Sequence, residues 1–228
     1  MSNSNANTTT FALLGQLAIR SWSAYELTQQ MQRATVRWVW PRAESRIYGQ
    51  LKRLAELGYA SAESDPNGRR RRTVYTITSA GRSALREWLH ADDAAAWRLE
   101  DELLLRVSLA DHGDLDSLTR TIERAQRDVM TRLEVLVPLT RDLADTGGKN
   151  PERAHLSALM AEAGLREVVF RAELLEWMRG VTARWSSTEG DELTRNWGRT
   201  TLDGTATEMA SWRDRLRSMI DESPAASA

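Results

Sequence analysis

Residues 42–57, RAESRIYGQLKRLAEL, decide how the rest of the chain is read. Ile47, Leu51 and Leu54 fall at i, i+4 and i+7, so a helix gathers them on one stripe, whereas a strand would split them between two faces. With that stripe turned inward, Arg42, Ser45, Gly49, Lys52 and Glu56 turn outward, and Tyr48 and Arg53 flank them. Pro41 disfavours helical geometry at Trp40 before the helix, and Gly58 follows it where a left-handed residue most readily ends one. The spacing therefore predicts a helix over 42–57 with an apolar inner face and an outer face of hydroxyls, cations, one glycine and the acid Glu56.

Working outward, residues 11–20, FALLGQLAIR, are apolar enough for a short buried helix. Ser23-Ala24-Tyr25-Glu26 has the spacing of a capping box and opens a second helix to about Val36, with Leu27, Met31 and Ala34 on its inner side. Downstream, YASAES (59–64) and RTVYTI (72–77) flank Asp65-Pro66-Asn67-Gly68, which has the chemistry of a hairpin turn. Tyr75 and Ile77 alternate inward, and Thr78 caps a further helix over Ser79–His90. Four consecutive cations, Arg69, Arg70, Arg71 and Arg72, sit beside the hairpin tip.

Three helices, a basic hairpin and a fourth helix make the order of a winged helix-turn-helix, whose third helix enters the major groove while the wing meets the neighbouring backbone. On that reading the outer face of 42–57 offers donors for phosphate and base edges, and the arginine run is a phosphate clamp or a minor-groove probe. Taken alone, either feature is a solvated surface; together they point to double-stranded DNA.

The charge distribution agrees. Residues 1–90 hold 13 Lys+Arg against 6 Asp+Glu, and residues 91–228 hold 18 against 26, so a basic part precedes an acidic one although the whole chain carries a net −1. No cysteine is present, which excludes disulfides, zinc fingers and thiol nucleophiles. No apolar run reaches membrane-spanning length, and MSNSNANTTT lacks the layout of a secretory signal, so a cytoplasmic location without membrane attachment is expected. An enzyme is not expected. His90, His112 and His155 are isolated, and the acid pairs Asp92-Asp93 and Asp101-Glu102 diverge by about 100° on a helix. Nothing calls for a metal or another cofactor.

FALLGQLAIRSWSAYELTQQM, WPRAESRIYGQLKRLAELGY and RTVYTITSAGRSALREWL occur in that order and together resemble the PadR family of bacterial transcriptional regulators. Ala24 departs from the pattern, which commonly has glycine there. The resemblance implies a mainly α protein: an N-terminal winged helix-turn-helix with a two-stranded β wing, then an all-α C-terminal dimerisation domain. It implies a homodimer on a palindromic promoter operator, acting as a repressor that a small ligand releases. Its DNA-contact set is Ser45, Tyr48, Gly49, Lys52 and the wing arginines, with Tyr25 in the support-helix motif either touching phosphate or packing; Arg42 joins them from the helical wheel. The alternative function is a winged helix used only for protein interaction.

From about Trp97 the pattern is helical throughout. LEDELLLRVSL is one segment and 115–143 a second, expected to bend near Pro138; Asn150-Pro151-Glu152 starts a third that runs to about Trp185. Ala163, Phe170, Leu174, Trp177 and Val181 fall near heptad spacing and are expected in a dimer interface, the alternative being an internal seam. Nine tryptophans raise a second question. Trp38, Trp40, Trp88 and Trp97 either line a pocket for a flat aromatic effector or serve as packing. The expected boundaries are a disordered 1–10, a DNA-binding domain over 11–92, a helical dimerisation or regulatory domain over 93–185, and an extension over 186–228. That extension is expected to be loop-like until a short amphipathic helix at 205–220, which packs back on the body.

Overall fold

The computed structural model describes residues 7–33, 43–65, 72–91, 100–147 and 150–222. The chain divides into two compact units, Met1–Arg98 and Leu99–Ala228.

The first unit opens with α1 (Thr8–Ile19), β1 (Trp22–Ser23) and α2 (Ala24–Arg33). It continues with α3 (Glu44–Glu56), β2 (Ala60–Asp65), β3 (Arg72–Ile77) and α4 (Ser79–His90). Its first helix begins earlier than composition suggests. Asn7 accepts a hydrogen bond from the Thr10 backbone N–H at 3.1 Å and donates its own N–H to the Thr10 hydroxyl at 3.2 Å. That reciprocal cap orders residues 7–10, which sequence assigns to a disordered tail, and buries Thr9 and Thr10.

The expected box at Ser23 forms: the Ser23 hydroxyl accepts from the Glu26 N–H at 3.2 Å, and the Glu26 carboxylate accepts from the Ser23 N–H at 3.0 Å. The Ser23 hydroxyl also donates to the Glu26 carboxylate at 2.7 Å, and that bond first, then the one from the Ser23 N–H, lowers the Glu26 pKa. The sheet has three antiparallel strands in the order β1-β3-β2, with Trp22 opposite Tyr75 and Ala60 opposite Ile77. The hairpin is thus the expected wing, and β1 is an addition to it.

Leu13, Leu14 and Leu17 of α1, Leu27 and Met31 of α2, and Ile47, Leu51 and Leu54 of α3 close one core with Tyr75, Ile77 and Ala84. Gly58 ends α3 with φ +72, a conformation that costs other residues more than glycine. Thr78 then ties the two ends together: its hydroxyl donates to the Gly58 carbonyl at 2.7 Å and accepts from the Gly81 N–H at 3.1 Å, capping α4 as expected.

The second unit is helical: α5 (Glu102–Ser108), α6 (Leu115–Thr146), α7 (Ala154–Thr182) and α8 (Glu192–Asp221), with single 3₁₀ turns at Ala110–His112 and Pro151–Arg153. Asp101 caps α5 and Asp114 caps α6, which runs through Pro138 as one helix. Asn150 makes no side-chain cap; Pro151 starts the 3₁₀ turn instead, and α7 follows from Ala154. Leu103, Leu118, Ile122, Leu175 and Met178 form its core. The Arg171 guanidinium grips the Asp101 carboxylate with two hydrogen bonds, binding α7 to the start of α5 and, as the main cause, lowering the Asp101 pKa.

The extension departs from expectation. Helix α8 starts at Glu192, not near 205, because Asp191 accepts from the Thr194 N–H at 2.7 Å and nucleates it there. None of its described residues is buried, and among the described residues the stripe of Met209, Trp212, Leu216 and Ile220 stands exposed, not packed as expected.

Candidate nucleic-acid interface

Helix α3 places Ser45, Tyr48, Gly49 and Lys52 on its exposed side, opposite the buried Ile47, Leu51 and Leu54. The Ala43 N-cap supplies no side-chain bond, so the helix depends on its buried stripe for its position. A hydrogen bond of 3.2 Å from the Thr10 hydroxyl to the Gln50 side chain adds a polar tether to α1. At Gly49 a Cβ would meet no heavy atom within 4 Å, so the glycine opens outward and is not a packing requirement. Arg53 is engaged with Glu56 at 3.0 Å. Arg46 is a further exposed cation on this helix. It lies about 100° from Ile47 on the wheel, at the margin of the outward arc, where the buried stripe alone does not mark it as groove-facing.

Tyr25 stands exposed in the first turn of α2. The capping box beneath it fixes the entry of that helix, and the Arg20 guanidinium lies 3.4 Å over the Trp22 ring at the same end. Arg20 and Arg72 both contribute favourable charge to the Glu26 carboxylate. Arg72 is exposed at the first position of β3, paired in register with Asp65. Of the wing cations it alone lies among the described residues; Arg69, Arg70 and Arg71 lie outside them, as does Arg42.

The proposed aromatic pocket is not assembled by the described residues. Trp38, Trp40 and Trp97 lie outside them, and Trp88 stacks on Phe11 with ring centroids 5.0 Å apart and planes at 5°. One face of Trp88 is thereby committed to packing. The heptad set on α7 divides: Ala163, Phe170 and Trp177 are exposed, whereas Val181 is buried and Leu174 packs on the core of its own unit. Five residues on one outward seam is therefore corrected to three, because the inward arc of α7, centred near Leu175, takes in Leu174 and Val181. Among the described residues no cluster of three His, Asp or Glu is placed to hold a metal ion, and no helix is long and apolar enough to cross a membrane.

Residues 13–87 match the family described as transcriptional regulator PadR-like. The chain is 27% identical over 98 residues to the negative transcriptional regulator PadR of Bacillus subtilis, a match covering 42% of this chain and 53% of that protein. The chain thus spans about half the length of that curated relative. Among solved structures it is similar to Bacillus subtilis PadR in complex with operator DNA, with a TM-score of 0.66 and 19% identity over 77% of this chain and 99% of that one. It is also similar to the same protein in complex with p-coumaric acid, with a TM-score of 0.61 and 18% identity over 79% and 99%. These likenesses establish the fold, a winged helix-turn-helix followed by a helical region.

Proposed function

We propose, on the footing that residues 13–87 are a domain of the PadR-like family of transcriptional regulators, that two copies of this chain bind a palindromic promoter operator and repress transcription from it. The observation that carries the reading is the exposed face of α3, where Ser45, Tyr48, Gly49 and Lys52 stand clear of the core. Hydroxyl, ammonium and bare backbone on a groove-sized helix suit base edges and phosphates at close range, and the arginines of residues 69–72 suit the flanking backbone. DNA as the partner places the protein in the cytoplasm, and no step of this reading needs catalysis.

The dimer is assigned to the second unit, with Ala163, Phe170 and Trp177 of α7 on the outward seam. A two-fold pair of reading heads is what a palindrome requires. A flat aromatic acid is the effector class we assign, because a similar protein of this fold is solved with p-coumaric acid. Its release of DNA is the regulatory half of the proposal. The test is a salt-titrated gel shift on the chain's own promoter duplex and on a scrambled duplex, with and without hydroxycinnamic acids. Preferential binding of two chains to the promoter duplex is expected. Equal binding to both duplexes would leave only an unspecific polyanion binder, and no binding to either would favour a protein-interaction module.

A further inference from the structure

Helix α8 has a long apolar face that no other described part of the chain covers. Its first turns are anchored where Trp197 meets Trp185 edge-on, with ring centroids 5.9 Å apart. Beyond that point Leu202, Met209 and Leu216 recur every seven residues, and Thr205, Trp212 and Met219 recur three residues behind them. Two interleaved rows at that spacing, sustained for nearly three heptads, suit a helix that lies along another helix. The five large side chains of the set are all exposed, from Trp212 at 50% to Leu202 at 71%. A contiguous stripe of that kind marks an interaction surface.

Charge decides between partners. The sequence of α8 holds five acidic residues and five arginines, so the helix is neutral overall. An anionic membrane or a nucleic acid selects a basic face, which α8 does not present. Its flanking positions instead complement themselves, once they exchange their exposed pairs within the helix, Arg213 with Asp214 at 2.9 Å and Glu208 with Arg215 at 3.7 Å, for pairs across a seam. Glu208 stands just before Met209, and Arg213 just after Trp212. Between two parallel helices in register, the first position of one faces the second position of the other, so Glu208 meets the partner's Arg213 twice by symmetry. The remaining flanking pairs, Thr201 with Ala206 and Arg215 with Ile220, oppose no like charges.

We propose that α8 is a self-association helix, lying parallel and in register along α8 of a second copy through the seam from Leu202 to Met219, with Glu208–Arg213 pairs across it. The inference rests on the two-copy reading above for its stoichiometry and adds to it the segment and the register. The chain contains no cysteine, so single introduced thiols report cleanly on the full-length protein. Met209→Cys places thiols opposite each other in the seam and is expected to give a disulfide-linked dimer on mild oxidation. Thr207→Cys, on the outward side, is expected to give little. In the Met209→Cys background Arg213→Glu should reduce linking several-fold, and Glu208→Arg with Arg213→Glu should restore it. Equal linking at 207 and 209, or linking only when Met209→Cys is mixed with Trp212→Cys, would overturn the parallel pairing. A protein that sediments as a dimer yet does not link at 209 would overturn it while leaving the two-copy reading intact; a monomer at all concentrations would overturn both.

Discussion

Gly49 and Gly81 give opposite answers to the same substitution. A Cβ on Gly49 meets open space, so Gly49→Ala should stabilise the fold by about 0.5–1 kcal/mol through helix propensity alone. If the backbone there approaches DNA, the same variant should lose about 1–3 kcal/mol on the operator, so that melting temperature and affinity move in opposite senses. A variant that melts higher and binds unchanged would remove Gly49 from the interface. At Gly81 a Cβ would stand 2.2 Å from the Tyr59 carbonyl oxygen, and backbone cannot swing aside as a side chain can. Gly81→Ala should therefore destabilise the first unit by about 1–3 kcal/mol, seen as a lower urea midpoint at unchanged slope.

Asp101 makes a residue-scale prediction for the second unit. Its carboxylate accepts from Arg171 and from the Leu103 and Leu104 N–H groups, and its folded pKa is depressed, first by the Arg171 bonds. A depressed pKa adds stability that is present above the unfolded value and lost as pH falls through the folded one, so the loss belongs below about pH 4. Asp101→Asn should weaken the unit at neutral pH and flatten that acid limb in urea titrations. An acid limb identical to that of the unaltered chain would separate Asp101 from it.

At the scale of elements, what sequence discloses is what local chemistry determines. The Ile47–Leu51–Leu54 stripe, the Ser23–Glu26 box and the Thr78 cap are set by residues within one or two turns of each other, and all three form as read. Strand β1 is two residues long and too short for alternation to register; it exists because β3 offers an edge to Trp22 and Ser23. The early part of α8 reads as loop because residues 186–204 are polar, yet Asp191 three residues before Thr194 is the cap that starts the helix there. On α7 periodicity showed an apolar helix but not which arc faces its own core, since packing against α5 and α6 settles that. The outer face of α3 was legible from its inner one, apart from Arg46 at its margin.

The two elements proposed to meet DNA should separate experimentally. Neutralising Arg71 and Arg72 should weaken operator and random duplex alike and reduce the salt slope by about two, one per lost phosphate contact. Ser45→Ala should instead erode the preference for operator with little change in slope. An unchanged slope in the wing variant would return those arginines to the solvent.

Across the whole molecule, the proposed function divides the labour along the charge asymmetry: the basic first unit would supply attraction to DNA, and the acidic second unit would supply the second copy. The first unit closes its own core from α1 to α4, so a fragment of residues 1–98 should fold. Alone, each head must find its half-site independently, whereas joined heads meet the second half-site at an effective concentration that raises affinity by about 10²–10⁴-fold. The fragment should therefore bind random duplex nearly as the intact chain does per head, but lose roughly that factor on the operator, with about half the salt slope. A competition titration at two salt concentrations reads both quantities. If the fragment matched the intact chain on the operator, the second unit would not be what joins the heads. The exposed side chains on the outward face of α7 and on the apolar stripe of α8 would then have to serve a partner other than a second copy.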